Sequence, residues 1–188
     1  MNAVDLQIIV IAPGALASAP TPPQPGSAPG GRLLQLALTR ATAVAGHAVT
    51  AVLGAHCGEL APALGRLPVS VVVNREWREG LAAAIRAGLA SLPGSCGGAL
   101  LWPADQSGVT SADLQRLVDA ARRNPRSIVA AQYGGGRGLP AVFPRSEFAS
   151  LLALRGDAGL AALLRSPAAG LIGVPMPGAA PVAAATGP

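Results

Sequence analysis

The chain has 188 residues, enough for one well-buried α/β domain, and nothing in its composition demands a second. Its net charge of +5 comes from 14 basic residues, all Arg, scattered from Arg32 to Arg165 with only Arg122 and Arg123 adjacent; no basic stripe interleaved with aromatics points to nucleic acid. Cys57 and Cys96 have neither metal-ligand spacing nor the density of a disulfide scaffold, no basic n-region opens the chain, and no apolar run is fit to span a bilayer, so a soluble protein of a reducing cytoplasm is expected.

In chain order, residues 6–12 (Leu-Gln-Ile-Ile-Val-Ile-Ala) read as a buried strand that Pro13 and Gly14 end. Between Pro13 and Gly31, Pro20, Pro22, Pro23, Pro25 and Pro29 exclude helix and strand and predict a long loop. A helix starts near Arg32, with Leu33, Leu36, Ala37, Ala41 and Val44 at helical spacing, Arg40 adding only its aliphatic stem, and Gly46 as the stop. A second strand covers 48–53 and a short helix 58–64. The β-branched run 69–73 is a third strand, and a helix follows from near Glu79 to about Leu92. The next strand is 99–102. After it come Pro103-Ala-Asp-Gln-Ser-Gly and the capping-box pattern Thr110-Ser-Ala-Asp113, opening a helix to Arg123. Residues 127–131 form a strand, the glycines 134, 135, 136 and 138 a flexible turn, 139–143 an extended segment, 146–153 and 157–164 short helices, and 171–174 a last strand. This alternation predicts an α/β fold of three layers with a predominantly parallel sheet. Residues 1–175 form the domain, and 176–188, made almost wholly of Pro, Ala and Gly, a loosely ordered tail. With Trp77, Trp102, Tyr133, Phe143 and Phe148 as the only aromatics, the core is expected to be aliphatic.

The junction from Asn74 to Leu89 carries the functional signal. Asn74 sits at a strand's carboxyl end, where side chains enter the crevice above a parallel sheet. Asn74, Trp77, Gly80-Leu81 and Arg86-Ala87-Gly88-Leu89, then Ala104-Asp105-Gln106-Ser107, Arg137-Gly138-Leu139-Pro140 and Gly156-Asp157-Ala158-Gly159, resemble in order and spacing the motifs of the MobA-like molybdenum cofactor nucleotidyltransferases, small enzymes that couple CTP or GTP to molybdopterin. The resemblance covers most of the chain. It implies a Rossmann-like nucleotidyltransferase fold with a mostly parallel mixed sheet, a nucleotide and molybdopterin as ligands, and a molybdoenzyme or maturation protein as partner. Gln106 tilts the implied nucleotide toward CTP, and Leu139, standing where the family often has His, removes a polar group from the implied pterin side.

Such a reaction drives a phosphate in line onto the α-phosphorus of a nucleoside triphosphate, and the negative charge that builds up needs a Gly-rich loop, cations and Mg²⁺. Asp105 is the candidate catalytic and metal-binding residue; the alternative is a turn Asp bonded to its own backbone. Ala12, Gly14, Asn74, Gly80, Arg32, Gln106 and Arg137 are the candidate ligand-binding positions. For Asn74 closing the strand-to-helix turn is an equal alternative, and for Arg32 a solvated surface position. Trp77 is read as packing over the helix. The first loop, Ala12-Pro13-Gly14-Ala15-Leu16-Ala17-Ser18-Ala19-Pro20, departs from the family's: no basic residue precedes Arg32, and Pro13 deletes one N–H. Losing one such donor costs about 2–4 kcal/mol of transition-state stabilisation. The family's second metal ligand, an Asp near the carboxyl terminus, has no counterpart in 179–188, which holds no acidic residue. Two readings follow: an enzyme of molybdenum cofactor maturation, or a diverged relative that binds nucleotide or a partner without turnover, which the missing charges favour.

Overall fold

The near-continuous apolar run LQIIVIA becomes β1 (Leu6–Ala12), covered on both faces, which is why it shows no polar alternation. A computed structural model describes residues 5–12, 29–54, 57–134, 136–156, 158–165 and 170–177. The expectations on Pro13, Gly14 and the Pro-rich loop up to residue 28, on Gly135 and Asp157, and on the tail from 178 lie outside the described residues. After β1 come α1 (Pro29–Ala45), β2 (Val49–Leu53), α2 (Cys57–Leu60) and a 3₁₀ turn (Ala61–Leu64). Then follow β3 (Ser70–Val73), a 3₁₀ turn (Trp77–Glu79), α3 (Leu81–Ala90), β4 (Gly98–Pro103) and α4 (Ser111–Arg123). The chain continues through β5 (Ile128–Tyr133), β6 (Gly136–Pro144), a 3₁₀ turn (Arg145–Glu147), α5 (Phe148–Leu152), α6 (Ala158–Arg165) and β7 (Leu171–Pro175).

The seven strands form one sheet in the order β3-β2-β1-β4-β6-β5-β7. Every pairing is parallel except those of β6, which runs against both β4 and β5. Period two divides β1 between two cores: Ile8, Val10 and Ala12 face the cluster under α1 and α4, and Ile9 and Ile11 face the one under α3. The second cluster can close tightly because Gly88 brings α3 onto the sheet; a Cβ there would sit 2.8 Å from Ile9 Cγ2 and 3.1 Å from Val52 Cγ2.

Four expectations change. Helix α1 begins at Pro29, a full turn's worth before Arg32, because proline's fixed φ and missing N–H suit a helix's first position. Helix α3 begins at Leu81, since Gly80 adopts φ +83°, which breaks the helical path after the 3₁₀ turn. Gly136 and Gly138 belong to β6, opposite Tyr133 and Ala131, because a hairpin ladder is made by backbone and needs no side chain. The core is not purely aliphatic: Trp102 and Phe143 are its largest fully buried side chains.

Candidate functional site

β1 continues outward through β2 to β3, whereas β4 lies on its other side, so the connections part between β1 and β4. At such a switch point the loops diverge and leave a crevice beyond the strands' carboxyl ends. Ala12 ends β1 there and is buried; the backbone N–H of Ala104, just past β4, donates to Ile11 O at 2.8 Å and binds the two strand ends together. Asn74 and Gly80 lie at the same end of the sheet, after β3.

The turn after β4 is compact. Gln106 N donates to Pro103 O (3.3 Å), Ser107 N to Asp105 O (2.9 Å) and Val109 N to Gln106 O (3.1 Å). Asp105 is half-buried inside it, its Oδ1 without a hydrogen-bond partner. Burial pushes its carboxyl above the usual range, and only its own backbone N–H works the other way. A bond to its own backbone N–H and a buried carboxylate oxygen without a partner thus coexist in one side chain. Gln106 is 6% exposed; its Nε2 donates to Leu139 O at 2.8 Å, which fixes the amide and leaves Oε1 buried and unpartnered. Tyr133 Oη donates to the same carbonyl at 2.6 Å, and its own pKa is pushed up to about 12 by burial and by the charge of Asp113. The Leu139 side chain, which stands where the family often has His, packs in the core under α3, and its carbonyl is what faces the turn.

Asn74 is buried, and its Oδ1 accepts from Glu76 N at 3.0 Å, while its N–H donates to Leu53 O at 2.7 Å. Asn74 thus closes the strand-to-helix turn through Oδ1. Trp77 sits against Gly54 just past the end of β2, and the Arg78 guanidinium lies 4.3 Å from its ring centroid. Arg32 is exposed in the first turn of α1, and Arg137 is exposed on the part of β6 that runs past the end of β4. Ala12, Asn74, Gly80, Asp105 and Gln106 thus come together at one end of the sheet, with Arg137 on the hairpin beyond them.

Two arginines carry more than the sequence revealed. Arg40, read there as an aliphatic stem, sends Nη1 to both Ser107 O and Val109 O at 2.7 Å. Arg86 joins Glu79 (2.6 Å), Glu76 (3.3 Å) and Leu154 O (3.0 Å), linking the turn before α3 to the segment before α6. A lone Arg inside an apolar helical stripe was the available signal for Arg40; its acceptors, nearly seventy residues away, were not legible.

Among the described residues no group of three or more His, Cys, Asp or Glu side chains could hold a metal ion. A single carboxylate with an oxygen left unpartnered matches the donor set of phosphate-transfer Mg²⁺ sites, where one or two carboxylates share the ion with substrate phosphates and water.

The model of the MobA-like NTP transferase domain matches residues 28–170. The chain is a member of that family. This MobA-like domain is also similar to the crystal structure of Rv0371c from Mycobacterium tuberculosis H37Rv, with 25% identity over 93% of this chain and 89% of that one and a TM-score of 0.75. The same protein in complex with manganese gives 25% identity, 91% and 88% coverage and a TM-score of 0.71. A nucleotidyl transferase from Methanothermobacter thermautotroptrophicus gives 19%, 92% and 87%, and 0.70, which speaks for the fold. No curated protein matches the MobA-like domain. No described helix is long and apolar enough to cross a membrane.

Proposed function

We propose that this MobA-like domain binds a nucleoside triphosphate, CTP in preference to GTP, with a divalent cation at Asp105, and that its role lies in molybdenum cofactor maturation with molybdopterin as the acceptor. One observation carries the reading: a half-buried carboxylate with an unpartnered oxygen, at the switch point of an α/β sheet, is costly in its charged form unless a cation meets it. The manganese complex of Rv0371c supports a divalent ion. Asp105 would hold the cation, which supplies charge neutralisation at the phosphates. Around it the turn bonds fix the carboxylate, and Asn74 and Gly80 shape the wall on the β3 side.

A binding role without turnover is favoured by the first loop, where no basic residue occurs before Arg32 to neutralise a triphosphate. Two measurements separate the readings. With CTP and Mn²⁺ near one hundred times Kd the midpoint should rise by the equivalent of roughly 2.7 kcal/mol, or about 5–10 °C for a chain of this size. Release of pyrophosphate from CTP with molybdopterin, lost in Asp105→Ala, would establish transfer; stabilisation without release would establish binding alone; no shift with CTP or GTP would refute the nucleotide reading.

A further inference from the structure

The turn that carries Asp105 is held from two sides. On one, the Gln106 amide is tied to Leu139 O of β6. On the other, a single guanidinium nitrogen of Arg40 reaches the carbonyls of Ser107 and Val109, two and four residues beyond Asp105. Charged donors at 2.7 Å make strong bonds, and two acceptors on one nitrogen set the distance between those carbonyls as well as their orientation. Helix α1 and α4 meet here, and Ser111 Oγ donates to Arg40 O at 3.4 Å, so the contact continues into the first turn of α4. Among the described residues α1 is also the element that follows β1. A group on it that grips the turn after β4 links the two sides of the switch point mechanically.

We propose that Arg40 is a positioning residue that holds the turn 105–109 so that the Asp105 carboxylate is set for a divalent cation. It touches neither cation nor nucleotide; it acts through Ser107 and Val109. The inference rests on the reading of Asp105 given above, and extends it to the residue that keeps that side chain in place.

The test uses the full chain with Mn²⁺ as the probe, read by water-proton relaxation, alongside amide hydrogen exchange of the apo protein. Arg40→Ala should speed exchange at Gln106, Ser107 and Val109 while leaving the amides of β1 and β4 unchanged. It should also weaken Mn²⁺ binding about tenfold or more, the usual effect of removing an outer support of a metal ligand. Arg40→Lys, which keeps a charged donor, should recover part of both. Asn124→Ala serves as the control for lost stability alone: it removes the Nδ2 bond to Ala120 O at the far end of α4 and should leave Mn²⁺ affinity intact. Unchanged exchange in Arg40→Ala would overturn the clamp, and equal loss of Mn²⁺ affinity in Asn124→Ala would overturn its specificity. Wild-type protein that binds no Mn²⁺, with or without CTP, would refute the metal reading of Asp105, and the link from Arg40 to it, whatever the exchange data show.

Discussion

Asp105 keeps a carboxylate where folding alone would prefer an amide. Its pKa is raised by burial, so the folded state disfavours the ionised form, and the penalty develops as pH rises from the ordinary carboxylate range through the folded pKa. Asp105→Asn should therefore be more stable than wild type at pH 7, by a few degrees in Tm, the size of about 1 kcal/mol in a domain of this length. The gain should vanish below the free-carboxylate pKa of about 3.9, where the wild-type side chain is also neutral. Thermal melts at both pH values check the sign. Added Mn²⁺ should stabilise wild type and not the variant. At this scale the sequence located the residue, through its position after a strand and the Asp-Gln pair. It could not say that Oδ1 is unpartnered, because that depends on what Leu139, Tyr133 and Arg40 do with the neighbouring groups.

Helix α4 shows how much an element can reveal by itself. Thr110 caps its amino end: Oγ1 accepts from Asp113 N at 3.2 Å, and Asp113 Oδ2 accepts from Thr110 N at 2.8 Å. The box was legible because all its partners lie within four residues. Burial opposes the Asp113 charge, yet the bonds from Thr110 and the Arg116 guanidinium at 2.6 Å outweigh it and hold the carboxyl below its ordinary range. The sign is opposite to that of Asp105. Asp113 adds stability above its unfolded pKa and loses it as pH falls through the lower folded value. Asp113→Asn should cost about 1 kcal/mol at pH 7, the usual worth of a cap, with the deficit shrinking as pH falls below the free-carboxylate range; urea titrations at pH 7 and pH 3 check this. Arg116 also donates to Pro175 O at 3.0 Å, fastening α4 to the end of β7, which no local pattern could announce.

Across the whole molecule, similar apolar runs have unequal weight. Phe143 on the interior strand β6 is fully buried, whereas Val73 on the edge strand β3 is 52% exposed. Phe143→Ala should cost about 3–5 kcal/mol through the cavity it leaves, and Val73→Thr should stay within about 0.5 kcal/mol, as denaturant midpoints will report. By itself the sequence determined the alternation of strands and helices, the stop at Gly46, the cap of α4, the family motifs and the absence of positive charge before Arg32. Each of these is settled by side chains a few residues apart or by composition. Only the tertiary structure decided that β6 runs backwards between β4 and β5, that β3 is an edge, and that Arg40 and Leu139 hold the turn of Asp105 from opposite sides. Those outcomes depend on hydrogen bonds and packing between segments tens of residues apart, where the free energy of the assembled core, not local preference, selects the partner.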